Sequence, residues 1–560
     1  MLEYSNNTCK SPNLTLQTPR TKGSPSPLHA AAINGDKATL QKLLKEKADV
    51  NARDQYGRVP LVYCVLGHRV DCADQLLRAG ADVCALDNSG RSVLHWAAIR
   101  ENIKLMKLLL SRGADWRHKD SDGFNVFHHC MKHNSIKPAV YILRGALPGE
   151  IDDQDRNKRT ALHLASLHGS ADHVRLLLNN ESNVGIPDVN GKTPLHWAIS
   201  AKNANAVQVI QLLLEAAPGV INWQDYDGRT ALHLAVAEGN YPFVDLLTSE
   251  NGCKLECLDN LFRTPLHWAA VLGHSKIVKL LLDRRCDWTC SDSNGATPLH
   301  YAALKDFEET VEVFLQHPGL TDEPDIEGRT ALLWAAGKGS TKVLSIMLQY
   351  NPNLAHTDKN GATVLHAAAM SGNSECVKIL LETELPVDSF DNMKLTPLFR
   401  AAEMGHLEVA QNLIDYGARV MHVDQDGRYP IHWAALGGHT PMCELMIRHK
   451  LDPNCSDRLA RTPLQCAAYG GFSHCMHKLM QMGADPNLQD AEGMTALHWS
   501  CSLGYLEAVK LLIKYGAFPN HMEFSEERLV ILATCSVFYL THCDIAFVFK
   551  PKFSYDIVIL

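Results

Sequence analysis

The chain has 560 residues and a formal net charge of −8 at neutral pH. Proteins that bind nucleic acid usually carry an excess of lysine and arginine, which this mildly acidic chain lacks, so nucleic-acid partners are not expected. Hydrophobic residues make up 46% of the chain, enough for a sizeable core. The 17 cysteines are scattered and the first residues are polar, which predicts free thiols in a reducing compartment.

Residues 1–24 are rich in serine, threonine and proline, and we expect a disordered N-terminal tail there. From residue 25 to 523 one short pattern, TPLH or a variant of it, recurs. Of the 14 intervals between successive copies, 11 are 33 residues long. Such a period predicts one stacked supersecondary unit. The first letter of the pattern falls at Ser26, Val59, Ser92, Asn125, Thr160, Thr193, Thr230, Thr264, Thr297, Thr330, Thr363, Thr396, Tyr429, Thr462 and Thr495.

The period and the TPLH core resemble ankyrin repeats. This resemblance implies an all-α solenoid of about 15 helix–turn–helix repeats with β-hairpin loops. In the copy at 264, Thr264 is a suitable N-cap and Pro265 a suitable first helical residue. Gly273 is placed to end the helix, and Ile277 to Leu281 begin the apolar face of a second helix. One helix pair cannot bury its own face, so neighbouring repeats must supply the core.

The histidine of the pattern raises the alternatives of a metal ligand or a general base. It lies at the third helical position, where its ring can bond groups at the helix start. Because Val62, Leu333, Phe399 and Gln465 also occupy this slot, we interpret it as structural. We expect His267→Ala to cost about 1 kcal/mol. The slot holds His29, His95, His128, His163, His196, His233, His267, His300, His366, His432 and His498.

Two further clusters invite a metal site. His128, His129, Cys130 and His133 lie together in one copy, and the second cluster consists of Cys253, Cys257, Cys286 and Cys290. Neither has the paired ligand spacing of a zinc site, since the cysteine pairs lie one repeat apart. No nucleotide-binding, serine-hydrolase, metalloprotease or kinase motif is present. We therefore predict no catalytic residue, no metal and no cofactor, and an extended protein-binding surface instead.

The hairpins near the middle of the array provide the candidate partner-binding residues. Tyr226, Leu261 and Phe262 follow the hairpin aspartates, and Arg263 lies beside them. Exposed aromatics next to arginine are typical of interface hot spots. The alternative is that Phe262, which replaces a glycine of other copies, packs under its own hairpin.

Several stretches go beyond the repeat consensus and resemble the inversin family. They are GIPDVNGKTPLHWA from Gly185, NWQDYDGRTALHLAVAEGN from Asn222, DNLFRTPLHWAAVLGH from Asp259, KLTPLFRAAEMGH from Lys394 and RTPLQCAAYGGF from Arg461. The resemblance runs from about His29 to Arg528. It implies a non-enzymatic scaffold of the cytoplasm, primary cilium and cytoskeleton, which shifts Wnt signalling from its β-catenin branch toward planar cell polarity. The implied partners are dishevelled, nephrocystins and a NIMA-related kinase.

The resemblance also carries motifs that this chain matches only in part. The family's destruction box maps onto Met494, Leu497 and Ser502, where Met494 and Ser502 replace the expected arginine and asparagine. Ankyrin hairpin asparagines are hydroxylated in many families, and Asn51 and Asn487 have the leucine eight residues upstream that this favours. The chain contains no basic IQ-type helix, so calmodulin binding is not expected.

Residues 524–560 depart from the family and form a divergent, hydrophobic C-terminal tail. Residues 529–549 approach the length of a membrane helix, but Thr541, His542 and Asp544 interrupt them. An alternative or intron-derived chain end is the favoured interpretation. The other hypothesis is that the repeats are the cytoplasmic ankyrin module of a membrane-anchored protein.

Overall fold

The structure, a computed structural model, describes residues 25–147, 149–201, 205–383 and 385–518. The predicted tails, 1–24 and 524–560, lie outside the described residues, including the apolar run at 529–549. Within the described ranges the chain forms paired α-helices, which confirms the prediction of an all-α array of helix–turn–helix repeats. In these ranges no helix has the length and apolar character needed to cross a membrane.

Within the described ranges the chain divides into two compact units, residues 25–268 with 283–287, and residues 269–282 with 288–518. The α-helices of the first unit are α1 Pro27–Asn34, α2 Lys37–Lys45, α3 Pro60–Leu66, α4 Val70–Arg78, α5 Val93–Ile99, α6 Ile103–Ser111, α7 Val126–Lys132, α8 Ile136–Leu143, α9 Ala161–Leu167, α10 Ala171–Leu178, α11 Pro194–Ile199, α12 Ala206–Ala216, α13 Ala231–Ala237 and α14 Tyr241–Ser249. Two 3₁₀ helices, Glu150–Asp152 and Pro218–Asn222, lie in the same unit.

The points of division fall within α15 Pro265–Leu272 and α16 Ser275–Asp283. The second unit continues with α17 Pro298–Leu304, α18 Glu308–Leu315, α19 Ala331–Lys338, α20 Thr341–Gln349, α21 Val364–Ser371, α22 Ser374–Leu381, α23 Pro397–Met404, α24 Leu407–Asp415, α25 Pro430–Leu436, α26 Thr440–Arg448, α27 Pro463–Tyr469, α28 Ser473–Gln481, α29 Ala496–Ser502 and α30 Leu506–Lys514.

Within each unit, helices of the same type pack on one another in chain order. The first helix of each pair packs on the first helix of the next pair, and the second helices do the same. In α13 the residues Leu232, Ala235 and Val236 are buried, and in α14 so are Val244 and Leu247. The small alanine allows neighbouring helices to approach closely, and the larger side chains fill the core between repeats.

The helix boundaries of the copy at 264 agree with the prediction. α15 begins at Pro265, and the hydroxyl of Thr264 accepts a hydrogen bond from the backbone N–H of His267 at 3.4 Å. Gly273 has φ +72°, the left-handed conformation that glycine adopts without steric cost. The loops differ from the predicted β-hairpins, because the described residues contain one isolated bridge, Leu86 to Ser92, and no extended strand. The hairpins are turns held by side chains.

The slot histidines are buried connectors between repeats. In α13 the backbone N–H of Thr230 donates to His233 Nδ1 at 3.2 Å. His233 Nε2 then donates to the carbonyl of Arg263, in the following repeat, at 3.0 Å. The sequence predicted the bond at the helix start but not this second bond. The same hydrogen bond, from Nε2 to a backbone carbonyl of the next repeat, is present at His29, His95, His128, His163, His196, His300, His366 and His432.

The exceptions in this slot separate packing from hydrogen bonding. Val62, Leu333 and Phe399 are buried and fill the same space with apolar atoms. Gln465 reproduces the histidine bonds, because its Oε1 accepts from the N–H of Thr462 at 2.7 Å and its Nε2 donates to the carbonyl of Met494 at 2.8 Å. Both kinds of substitute are structural, which agrees with the interpretation of the histidines as structural.

Candidate functional site

The turns that precede the first helices are organised around a buried aspartate. Asp259 Oδ1 accepts from the backbone N–H groups of Leu261 and Arg263 at 2.9 and 2.8 Å. Its Oδ2 accepts from Trp268 Nε1 at 3.0 Å and from the Arg263 guanidinium. Burial works against ionisation, but these hydrogen bonds outweigh it and hold the pKa of Asp259 below its usual value. The carboxylate therefore fixes the turn and joins it to the following helix.

Neighbouring turns of the first unit are tied to one another by the backbone. The N–H of Tyr226 donates to the carbonyl of Asn190 in the preceding hairpin at 3.0 Å. In the same way the N–H of Asn260 donates to the carbonyl of Asp227 at 3.1 Å, and its side-chain amide donates to the carbonyl of Tyr226 at 2.8 Å. These bonds set three consecutive hairpins in a fixed order and present their tips together.

The tips carry large apolar side chains that face solvent. Tyr226 is 65% exposed, Leu261 54% and Phe262 56%. Val189 occupies the same hairpin position as Tyr226 one repeat earlier and is 42% exposed. We call these four residues the hairpin-tip strip. With about 200 Å² for a large apolar side chain, the exposed fractions amount to roughly 400 Å², a size at which an exposed patch calls for an explanation.

Of the sequence-predicted residues, Phe262 is exposed as the candidate binding region requires, whereas Arg263 is placed differently from the expectation of an exposed residue. Phe262 does not pack under its own hairpin, since more than half of it is exposed. Arg263 is turned inward, where its Nε and Nη2 donate to Asp259 and its guanidinium lies 4.9 Å from the ring centre of Trp268. Arg263 thus holds the hairpin together, and a direct role for it in partner binding stays a prediction. Val189 was missed, although aligning the hairpins on their aspartates places it beside Tyr226.

Phe262 is held in the left-handed region, with φ +60°. For a side chain with a Cβ this conformation costs about 1 kcal/mol or more, and the exposed ring recovers little of that cost by packing. We expect Phe262→Gly to raise the free energy of unfolding by about 1 kcal/mol in urea titrations.

The neighbouring hairpin supplies the reverse experiment. Gly228 has φ +76°, and a Cβ there would lie 2.7 Å from the backbone nitrogen of Asn260. Gly228→Ala should therefore destabilise by about 2 kcal/mol. If Phe262→Gly destabilises the protein as well, the ring contributes packing that its exposure does not reveal.

The histidine and cysteine clusters are parts of the scaffold. His129 Nε2 donates to Asp120 at 2.8 Å, the bond that Trp268 makes to Asp259 in its own repeat. Burial raises the pKa of Cys253 to about 12 and also raises the pKa of Cys257, so both are protonated thiols at neutral pH. In the part of the chain that the structure describes, no group of three or more His, Cys, Asp or Glu side chains is arranged to hold a metal ion.

The predicted hydroxylation sites are engaged in bonds between repeats. Asn51 Oδ1 accepts from the N–H of Asp82 at 2.8 Å, and Asn487 Oδ1 accepts from the N–H of Phe518 at 2.8 Å. Both asparagines are half-buried. An enzyme that needs the loop in another conformation must first break these bonds, so hydroxylation stays a prediction that requires local opening.

The degenerate destruction box lies on a packed helix. Leu497 is only 2% exposed in α29, and the carbonyl of Met494 accepts the bond from Gln465. Ser502 is exposed at the end of the same helix. The three residues are therefore not presented together at the surface, and recognition of this motif stays a prediction that depends on unfolding of the repeat.

Comparison with protein families gives matches along most of the chain. A model described as ankyrin repeats in three copies matches residues 9–87, 127–218, 200–292, 266–358, 347–424 and 419–490. A second model, described as ankyrin repeats in many copies, matches residues 94–143 and 474–513.

Among curated proteins the chain is similar to inversins. Inversin from Homo sapiens is 55% identical over 240 residues, which is 42% of this chain and 22% of that protein. Inversin from Danio rerio is 56% identical over 241 residues, 43% of this chain and 24% of the relative. Inversin-B from Xenopus laevis is 53% identical over 247 residues, 44% of this chain and 25% of the relative. The chain spans about a quarter of the length of these relatives.

Proposed function

Because the chain belongs to the ankyrin-repeat family, we propose that it is a non-enzymatic scaffold that binds proteins and works in the manner of inversins. The observation that carries the proposal is the identity of 53–56% to inversins over about 240 residues. Repeat arrays of this kind act as extended binding surfaces, since each repeat adds side chains to a common face.

The hairpins from Tyr226 to Arg263 are the proposed partner-binding region. Their exposed apolar side chains stand on turns that hydrogen bonds to buried aspartates hold rigid. A rigid support reduces the entropy lost on binding, so the side chains at the tips contribute more of their contact energy to affinity. Protein partners, rather than small molecules, suit a surface of this kind, because its large apolar side chains are exposed at the tips of the turns.

The finer assignment follows the inversin resemblance. We propose a place in the cytoplasm, primary cilium and cytoskeleton, and a role in turning Wnt signalling from its β-catenin branch toward planar cell polarity. The proposed partners are dishevelled, nephrocystins and a NIMA-related kinase.

Cross-linking and affinity capture of the full chain in ciliated cells test this function. We expect partners recovered with the wild-type chain to be lost from the double variant Tyr226→Ala, Leu261→Ser, because these side chains supply exposed contact area and little stability. Far-UV circular dichroism should show the same helix content for both chains. Recovery of the same set of proteins by the double variant would contradict the placement of the binding region in these hairpins.

The second candidate is the cytoplasmic ankyrin module of a membrane-anchored protein. Its support is the apolar run at 529–549, which lies outside the described residues. Detergent-free fractionation separates the two candidates, because a scaffold is recovered in the supernatant. Recovery of nearly all of the chain in the membrane pellet would favour the anchored module.

A further inference from the structure

Two cysteines of consecutive repeats meet inside the second unit. Cys443 lies in α26 and Cys475 in α28, and these two helices pack on each other. Their Sγ atoms are 3.7 Å apart, and each side chain is only 1% exposed. In a disulfide the sulfur atoms are about 2.05 Å apart, so the two thiols must approach by roughly 1.7 Å. Side-chain rotation combined with a small shift of one helix along the other is enough for this approach.

The surroundings of the two sulfur atoms make them chemically different. The thiol of Cys443 and the hydroxyl of Thr440 donate hydrogen bonds that hold the pKa of Cys475 below its usual value, although burial opposes this effect. The same bond, together with burial, raises the pKa of Cys443. Cys475 is therefore the first of the pair to ionise. Because peroxides react with thiolates and not with thiols, Cys475 is the nucleophile and Cys443 its neighbour in waiting.

The other cysteines of this part of the chain are poor competitors. Cys455 and Cys466 lie between the two in the sequence, and burial raises the pKa of each to about 12. Both are therefore protonated thiols at neutral pH, which react slowly with peroxides. Of these four cysteines, only Cys475 combines a favoured thiolate with a second sulfur in contact.

The position of the pair in its helices provides a route for a small oxidant. Cys475 is the third residue of α28 and Cys443 the fourth residue of α26, so both lie at helix starts. His474, which precedes Cys475, is exposed. The first backbone N–H groups of a helix have no intrahelical partner, so this end opens more easily than the middle. Hydrogen peroxide is small and uncharged, and a local opening of the first turn of α28 admits it.

We propose that Cys443 and Cys475 form an oxidation site, at which a hydroperoxide converts the two thiols into a disulfide between consecutive repeats. In the first step the Cys475 thiolate attacks a peroxide oxygen. The S–O bond forms, the O–O bond breaks, and the leaving hydroxide takes up a proton to become water. Cys475 is then a sulfenic acid, oxidised by the two electrons that reduce the peroxide.

The second step consumes the Cys443 thiol. Its sulfur attacks the sulfur of Cys475, so that the S–S bond forms and the S–O bond breaks. The departing hydroxide leaves as water with the proton of Cys443. In sum, two thiols and one hydrogen peroxide give one disulfide and two waters.

The product joins two repeats covalently and reversibly. The linked cysteines are 32 residues apart in the sequence, so the bond restricts the unfolded chain and holds α26 against α28. In a reducing compartment the bond is transient, because exchange with a small thiol restores both cysteines. This chemistry does not depend on the partners of the scaffold.

Peptide mass spectrometry of the full chain, oxidised while folded, tests the proposal. The chain is treated with excess hydrogen peroxide without denaturant, the remaining thiols are blocked with iodoacetamide, and the protein is digested without reductant. We expect a linked peptide pair that contains Cys443 and Cys475 and has lost two hydrogen atoms. This pair should be roughly tenfold more abundant than any other cysteine pair. Dithiothreitol should release both peptides, since thiols reduce a disulfide but not a sulfinic acid.

Three variants assign the roles of the two cysteines. In Cys443→Ala the sulfenic acid has no neighbouring thiol, so dimedone added with the peroxide should label Cys475. In Cys475→Ala dimedone should leave Cys443 unlabelled, because that thiol stays protonated. Cys466→Ala is the matched control from the same repeats and should form the link as the wild type does. Far-UV circular dichroism before oxidation checks the helix content of each variant.

Absence of the linked pair in the wild-type chain would overturn the proposal, and so would preferential linkage of either cysteine to a different one. Dimedone labelling of Cys443 in Cys475→Ala would overturn it as well, since the nucleophile would then be misassigned. The linked pair is measured on the wild-type chain, so a variant that fails to fold does not remove the test.

Discussion

Replacing His233 with alanine is expected to lower the free energy of unfolding by about 3 kcal/mol. The ring is fully buried, and its removal leaves a cavity in the core. It also leaves the N–H of Thr230 and the carbonyl of Arg263 without the partners they have in the native protein. Orphaned buried polar groups carry the full cost of lost hydration, which is why the effect exceeds that of a helix cap alone. Urea unfolding of the full chain, with hydrogen exchange over residues 231–247 as the local readout, measures it.

The chain itself suggests the conservative variant. His233→Gln should cost only about 1 kcal/mol, because Gln465 fills the equivalent slot and makes equivalent bonds. His474→Ala, at an exposed position of α28, should change stability by less than about 0.5 kcal/mol. If the alanine and glutamine variants of His233 are equally stable, the bond between repeats does not contribute and the slot is filled for its volume alone.

Acidification from pH 7 to pH 5 is expected to destabilise the first unit strongly. Burial lowers the pKa of His95 to about 3 and that of His163 to about 4, and it also lowers the pKa values of His29, His196 and His233. The unfolded chain, with pKa values near 6.5, therefore binds more protons than the folded chain below that pH. Stability is constant above pH 6.5 and falls as the pH drops toward 4. At pH 5 each histidine that remains neutral in the folded chain lowers the free energy of unfolding by about 2 kcal/mol relative to neutral pH.

Thermal unfolding between pH 7.5 and 5.0, followed by far-UV circular dichroism, measures this dependence. The double variant His95→Gln, His163→Gln removes two of the titrating groups while keeping side chains that can make the same hydrogen bonds. Because each glutamine costs about 1 kcal/mol, we expect its melting temperature at pH 7 to lie a few degrees below that of the wild type. The decrease in its melting temperature between pH 7.5 and pH 5.0 should be smaller than that of the wild type. If the wild-type chain melts at the same temperature at pH 5.0 and pH 7.5, the histidines are protonated at pH 5 in the folded as well as in the unfolded chain. Their pKa values would then not be lowered by burial.

The repeat and its helices could be predicted from the sequence, because the signals that define them are local. Thr264 as a cap, Pro265 as the first helical residue and Gly273 in the left-handed conformation each depend on groups a few residues away. The same holds for the apolar spacing that begins at Ile277. The same local signals recur in successive copies, most often 33 residues apart, and together they identify the repeat.

The candidate site was only partly predictable for the same reason. The sequence indicated Tyr226, Leu261 and Phe262 as surface residues of the hairpins, since the positions after the aspartate vary between copies. It could not show that the Arg263 guanidinium binds Asp259 and lies against the ring of Trp268. The sequence around an arginine does not reveal whether its side chain faces the protein or the solvent. Val189 follows Asp188 as Tyr226 follows Asp225, but it is the backbone bond from Tyr226 to Asn190 that shows the two hairpins side by side.

The composition of the chain and the spacing of its motifs thus determined the helical repeat, its boundaries and the structural nature of the histidine slot. The tertiary structure decided which side chains reach across repeats and which remain in solvent. His233 and the carbonyl of Arg263 are 30 residues apart, and their bond exists only after two repeats have stacked. Stacking register follows from burial summed over whole helix pairs, a quantity that no short stretch of sequence contains.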